Sequence, residues 1–386
     1  MPPPTTSKKE SMSEVTSSNT GAPFNSVKWI ALLGLQDTPT DGVEDYCLFL
    51  GRALARQGIE LELVRMPWAE MGWLGALRQL KRTIAPWRGR WVLMQYTAFS
   101  WSRRGFPFAA LAVLRILSRA GVRVAVVFHE PDRQPGSGVL QGLRGICQSW
   151  VIRRLFSGVA KAIFTVPLEG IAWLPKAQSR AAFIPIGANI PERAQRCTPP
   201  LLEAREKTVI VFGVTCSAEA ARREVDDISA TVLEASKVLG RLRLVVVGRG
   251  SNEARELLKE AFKERDVNLV VRGILPAEQI AGEFESADVL LFVRGVISPQ
   301  RGSAMAGIAS GIPVVGYRKA HIGGPLEEAG VEWCPLGDRA GLVRGLIRVL
   351  SDPQRWLELH QRNLEVQKNY LSWNRIAERF QVVLAG

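Results

Sequence analysis

Residues Arg301–Val315 read RGSAMAGIASGIPVV, which is not the composition of an ordinary helix. Helices gain propensity and fill space with Leu, Glu and Lys, whereas Gly302, Ser303, Ala304, Ala306, Gly307, Ala309 and Ser310 keep this surface low. The stretch breaks at Gly311 and passes Pro313 into a valine pair, and the run VLLFV (Val289–Val293) precedes it. A low helix between two buried strands belongs to a parallel sheet. Its first residues then lie at the carboxyl edge of the sheet, where free N–H groups and the helix dipole favour an anion. Small residues let a phosphate reach that backbone, Arg301 adds a planar donor fork and Ser303 a hydroxyl. The plainer alternative is that the small residues only allow the helix to pack closely on the sheet.

Working outward, the same alternation runs through the second half of the chain. TVIVFGV, LRLVVVGRG, VNLVVRG, SADVLLFV and GIPVVGY are strand candidates, with helices through DDISATVLEASKVLG and ARELLKEAFKER between them. The first half repeats the scheme. VKWIALLGL, ELELVRM, RWVLMQY, VRVAVVFHEP, KAIFTV and AAFIPIG read as strands; GVEDYCLFLGRALARQGI, a segment from Phe108 to Ala120, and LQGLRGICQSWVIRRLFSGV read as helices. NIPERAQRCTPPLLEAREK, Pro-rich and charged, reads as a linker. The expectation is an α/β protein with two Rossmann-like domains facing across a cleft, which is the default ligand site. Residues 27–190 form the first domain, 191–206 the linker and 207–370 the second domain. VVVGRG lacks the spaced-glycine fingerprint of a dinucleotide site.

The 386 residues, 47% of them hydrophobic, suffice for two cores. Residues 1–26 are rich in Pro, Ser and Thr with few large apolar side chains, which predicts a disordered tail and no secretory signal. Five scattered cysteines suggest neither a disulfide framework nor a zinc site. No metal or cofactor is expected, no segment is apolar enough to span a membrane, and a reducing cytoplasmic setting is the default. The net charge of +13 calls for an anionic partner.

The order of the blocks VVVGRG, VVRGILPAEQIAGEFESADVLLFV, AGIASGIPVVGY, LGDRAGLVRGLIRVLSDPQRWLELHQRN and LSWNRIAERFQVVL resembles the C-terminal domain of the retaining glycosyltransferases of family 4, whose architecture is called GT-B. FHEP and FIPIGANIP resemble segments of that family's N-terminal half. Many members carry two glutamates, with seven residues between them, ahead of the small-residue helix. Here those places fall on Ser298 and Ala306, so the segment SPQRGS stands in their stead.

The resemblance implies a nucleotide-sugar donor bound mainly to the second domain and a glycan or glycolipid acceptor. It implies donor contacts from Gly213, Arg272, Gly273, Ile274, Ser298, Gly302 and Ser303, with Arg301 on the departing diphosphate and Arg222 or Arg223 as a second charge. It places His129 and Glu130 at the reaction centre and Asp41 and Gly42 in a donor-facing turn. The residues alone also allow a structural histidine, a salt-bridged glutamate and a plain capped turn. It further implies that residues 371–386 return to the first domain with Trp373 near the crossing.

Between Ser100 and Ala160 nine arginines face only Glu130 and Asp132. With the Trp-basic alternation of WAEMGWLGALRQLKRTIAPWRGRW, this suggests a peripheral anionic membrane surface; core tryptophans with a solvated basic face are the alternative. Three function classes stand: a glycosyltransferase of cell-surface polysaccharide synthesis, an epimerase on nucleotide sugars with a carboxylate-rich cleft, and a non-catalytic nucleotide-sugar or nucleic-acid binder. Stacking platforms for nucleic acid are not evident.

Overall fold

The computed structural model describes residues 27–132, 138–176, 178–191, 199, 202, 205–318 and 323–386. The tail read over residues 1–26 and most of the linker read over 191–206 lie outside them.

The first half runs β1 (Val27–Leu33), α1 (Gly42–Ala55), β2 (Ile59–Arg65), α2 (Trp68–Thr83), β3 (Trp91–Tyr96), α3 (Phe108–Arg119), β4 (Arg123–Phe128), α4 (Val139–Gly158), β5 (Lys161–Phe164) and β6 (Ala181–Phe183). The second runs β7 (Lys207–Phe212), α5 (Ala218–Leu239), β8 (Leu242–Val247), α6 (Arg255–Ala261), β9 (Val267–Gly273), α7 (Ala277–Ser286), β10 (Val289–Val296), α8 (Gly302–Ala309), β11 (Val314–Arg318) and β12 (Val331–Pro335). It closes with α9 (Arg339–Ser351), α10 (Pro353–Val366) and α11 (Trp373–Ala385). The strands form two six-stranded sheets, ordered β2-β1-β3-β4-β5-β6 and β12-β11-β10-β7-β8-β9. Every strand pair is parallel.

Helices cover both faces of each sheet, which is why the strands read as unbroken apolar runs. Successive side chains still divide by face. Ile30 and Leu32 enter one core with α2, α3 and α4, while Trp29, Ala31 and Leu33 enter another with α1 and α11. In the second sheet Val209 and Val211 likewise part from Ile210. The winding direction reverses between β1 and β3 in one sheet and between β7 and β10 in the other. Ligands of open parallel sheets bind outside the carboxyl ends at such reversals.

The structure refines the sequence reading in four places. The Trp-basic stretch from Trp68 is a helix followed by a short 3-10 turn, and Trp68, Trp87 and Trp91 are buried in the core, so these three tryptophans belong to the core reading. AAFIPIG supplies only the strand Ala181–Phe183, because Pro185 has no N–H for a ladder. VEWCP forms an unanticipated edge strand, paired with β11 from Val331 to Pro335. His360, given no partner by the sequence, is buried with Nδ1 2.5 Å from the Gly311 carbonyl oxygen and its ring stacked on Trp356.

The helix α11 leaves the second sheet and packs on α1. Trp373, Ile376, Ala377, Phe380 and Leu384 share a core with Tyr46, Cys47, Leu50 and Leu54, and the Trp373 indole donates to the Ala188 carbonyl at 2.8 Å. Among the described residues no helix is long and apolar enough to cross a membrane.

Candidate functional site

At the reversal of the second sheet, β7 leads into Gly213, β8 exits through Gly248–Gly250, and β10 carries Arg294 near its carboxyl end. Gly213 takes a positive φ of 84° and donates its N–H to Val247 at 2.7 Å. A Cβ there would lie 2.8 Å from Arg294 Nη1, so glycine is what leaves room for the guanidinium. Arg294 is half-buried, and its Nε is enclosed with no hydrogen-bond partner. Burial holds its pKa below the usual arginine value; Glu224 opposes that, and the neighbouring charges of Arg301 and Arg249 add to it. An arginine remains protonated regardless.

The carboxylates nearby are engaged elsewhere. Glu224 accepts from the Thr215 N–H at 2.7 Å and its hydroxyl at 2.5 Å. Arg249 reaches across to the first half, bonding Asp37 at 2.8 Å and the Thr38 carbonyl at 3.2 Å. Among the described residues no carboxylate pairs with Arg294 or Arg301.

Arg301 is the exposed residue that opens α8, after a turn in which its N–H bonds the Ser298 carbonyl at 2.9 Å. The two readings of the small residues are divided along the helix. A Cβ on Gly302 would meet nothing within 4 Å, whereas one on Gly307 would lie 2.5 Å from Leu290 Cδ2. The start of α8, with Gly302 and Ser303, is therefore open, and its later half is a packing surface on β10.

His129 follows β4, at the carboxyl end of the first sheet. Its Nε2 lies 2.8 Å from Gln95 Oε1, and Gln95 Nε2 donates to the Leu93 carbonyl at 3.1 Å. That second bond fixes the amide, so Oε1 accepts, Nε2 carries the proton and Nδ1 keeps its lone pair. The Tyr46 ring meets the imidazole edge to face with centroids 5.0 Å apart. Burial pushes the His129 pKa down to about 4, with the Asp41 charge pulling the other way. Gln300 Nε2 donates to the His129 carbonyl, which joins this strand end to the turn carrying Arg301.

This depressed value has a measurable consequence. The unfolded chain takes up the proton first as pH falls, so native stability is full above the ordinary value of 6.5 and declines between 6.5 and about 4. The expected loss is on the order of 3 kcal/mol. Chemical denaturation across that range should show the decline in the wild type and not in His129→Gln; parallel curves would mean that His129 titrates normally.

The other sequence candidates are placed less uniformly. Asp41 caps α1, accepting from the N–H groups of Val43 and Glu44 at 3.1 Å, and pairs with Arg65 at 3.1 Å. Gly42 accepts through its carbonyl from Asn189 at 3.0 Å. Glu130, half-buried, lies close enough to Tyr96 that its charge joins burial in raising that phenol. Arg272 is turned away to Glu283 on α7, at 2.9 Å, and Gly273 and Ile274 stand at the exit of the edge strand β9. Arg222 and Arg223 are exposed on α5, the latter 3.4 Å from Glu219, whereas Arg294 is the arginine that stands at the sheet reversal. Arg294, Gln95 and Gln300 were not singled out by sequence reading. For Arg294 and Gln95 the signal is a polar residue interrupting an apolar strand run, as in VLLFVRGV and WVLMQY; Gln300 lies in the turn before α8.

Two parallel Rossmann-like sheets, with their ends bridged by Arg249 to Asp37 and Gln300 to His129, define the GT-B fold. Among solved structures the chain is similar to Anabaena HepE in complex with UDP and glucose, at 12% identity and a TM-score of 0.63 over 93% of this chain and 99% of that one. It is similar to sucrose-phosphate synthase of Thermosynechococcus elongatus, at 17% identity and 0.64 over 93% and 98%. A Listeria monocytogenes protein described as a UDP-N-acetylglucosamine 2-epimerase matches at 11% and 0.63 over 93% and 95%. No family model and no curated protein matches the chain in sequence.

Proposed function

We propose that the chain is a glycosyltransferase that takes a sugar from a nucleotide-sugar donor. The observation that carries this reading is the pair Arg294 and Arg301, without carboxylate partners among the described residues, set beside the open start of α8 at the reversal of the second sheet. An enclosed guanidinium with an unpartnered Nε suits a diphosphate, which offers several acceptor oxygens. The epimerase reading needs carboxylates free to move protons; Glu224, Asp41 and Asp37 are instead held by Thr215, Arg65 and Arg249.

In the reaction the bond between sugar C1 and the diphosphate oxygen breaks, and its electron pair stays on the diphosphate. Arg294, Arg301 and the first N–H groups of α8 stabilise the charge as it develops, more than they stabilise the ground state. The acceptor oxygen bonds C1 on the face the diphosphate leaves, and its proton passes to the departing phosphate oxygen, so the configuration is kept. His129, neutral with a free Nδ1 lone pair, accepts a hydroxyl hydrogen of the bound sugars from the facing half. Glu130 lies beside it, and Ser303 and Ser298 contact the donor. The acceptor is a glycan or glycolipid of cell-surface polysaccharide synthesis, reached from the cytoplasm, and the enzyme belongs with the retaining family 4.

Titration against a panel of nucleotide sugars, with products read by mass spectrometry and anomeric NMR, tests this. His129→Ala should lower transfer at least tenfold with nucleotide affinity kept, since the nucleotide contacts lie in the other half. Inversion of the donor sugar without transfer would assign an epimerase. Absence of binding across the panel would remove the donor reading.

A further inference from the structure

Helix α4 has two apolar faces, and among the described residues only one has a partner. Val151, Ile152, Leu155 and Phe156 enter the core of the first half. On the opposite side Val139, Leu143, Ile146 and Trp150 recur every three or four residues, which places them on one line along the helix. They are exposed by 93%, 52%, 64% and 46%, with Leu140 beside them at 61%. Phe108, at the start of α3 and itself exposed, extends the line, its ring 6.1 Å from that of Trp150.

The surround is cationic. Arg153 and Arg154 flank the line one turn on, Arg154 lying 5.6 Å over the Trp150 ring. Arg103, Arg104, Arg115 and Arg119 are exposed on α3 and the loop before it. Residues 99–120 and 139–160 together hold no Asp or Glu.

We propose that this face seats on an anionic lipid bilayer, with α4 lying in the interfacial plane. Its apolar line enters the acyl boundary, and the arginines meet the headgroups. Charge selects this occupant, because a second copy would set the same arginines against one another. Shape agrees: a single convex helix presents a handful of side chains, well short of the roughly 1,200 Å² that a stable protein interface buries. On the transferase reading the seat also serves the chemistry, since Val139 follows His129 by ten residues and so lies within about 35 Å of it. A lipid-borne acceptor would then meet the crevice without leaving the bilayer surface.

Flotation of the full chain with vesicles tests the seat without any donor, so its failure is separate from failure of the transferase reading. Vesicles of phosphatidylcholine with about 30% phosphatidylglycerol should carry the protein at low salt, and phosphatidylcholine alone should not. Leu143→Glu with Ile146→Glu should reduce binding at least tenfold. Arg153→Gln with Arg154→Gln should reduce it about fivefold per arginine. All four positions are exposed, so melting temperature and nucleotide affinity should hold. No flotation of the wild type, equal flotation on neutral vesicles, or wild-type flotation of both variants would overturn the proposal. Light scattering that shows a dimer dissolved by the Leu143 and Ile146 changes would give the stripe to a second copy instead.

Discussion

On the transferase reading Arg294→Ala should lower sugar transfer by a hundred- to a thousandfold, about 3–4 kcal/mol of transition-state stabilisation, the usual loss for one enclosed donor to developing charge. The size follows from where the guanidinium sits. It lies against Gly213 with its Nε enclosed, so no water replaces its bonds to a departing diphosphate. Arg301→Ala costs less, roughly 2 kcal/mol, because that side chain is exposed and solvent screens it. Arg294→Lys keeps the charge without the planar fork and restores only part of the rate. Steady-state kinetics with each variant, beside nucleotide titration, decides the matter. Wild-type turnover in Arg294→Ala would take the residue out of the chemistry.

Trp373→Ala destabilises the fold by about 3–5 kcal/mol, the range for removing a large buried aromatic. The indole is buried, stacks on Phe49 at 5.7 Å, meets the Tyr46 ring at 5.2 Å and donates to Ala188 at 2.8 Å. The cavity would open beside Tyr46, which also borders His129. Activity should therefore fall at temperatures well below the melting point. Trp373→Phe keeps part of the ring packing and leaves the Ala188 carbonyl without its donor, so an intermediate loss is expected. Urea denaturation of the three proteins measures this, and a loss under about 1 kcal/mol for alanine would mean that α11 is loosely held.

The architecture was legible because burial on both faces writes a parallel strand as a plain apolar run, as in RVAVVF and VLLFV. Shorter or compromised segments were harder. VEWCP gains strand geometry only from pairing with β11, and AAFIPIG loses its second half to Pro185. At the site, Arg301 could be found because it precedes a helix of unusual composition, and His129 because it ends a strand. Arg294 could not, since its meaning depends on Gly213, eighty-one residues earlier, leaving it space. The orientation of Arg272 toward Glu283 is likewise a matter of rotamer choice between a strand end and the helix after it, which no spacing encodes. Tryptophan and arginine counts pointed to a basic surface, but only burial told which tryptophans belong to it: Trp68, Trp87 and Trp91 are core, and Trp150 is not.

The docking of α11 on α1 ties the order of synthesis to the order of folding. The core around Trp29, Tyr46 and Leu50 is begun by the first strand and completed by Trp373, Ile376 and Phe380. At a translation rate of roughly 5–20 residues per second, the interval between Ile184 and Trp373 leaving the ribosome is about 10 to 40 s. For that time the nascent first half carries an uncovered apolar face, a natural client for a holdase, while the second half folds behind it. A message truncated before the last helix would release a chain whose second sheet is whole and whose first is permanently open on one side, and degradation is the expected fate of that product.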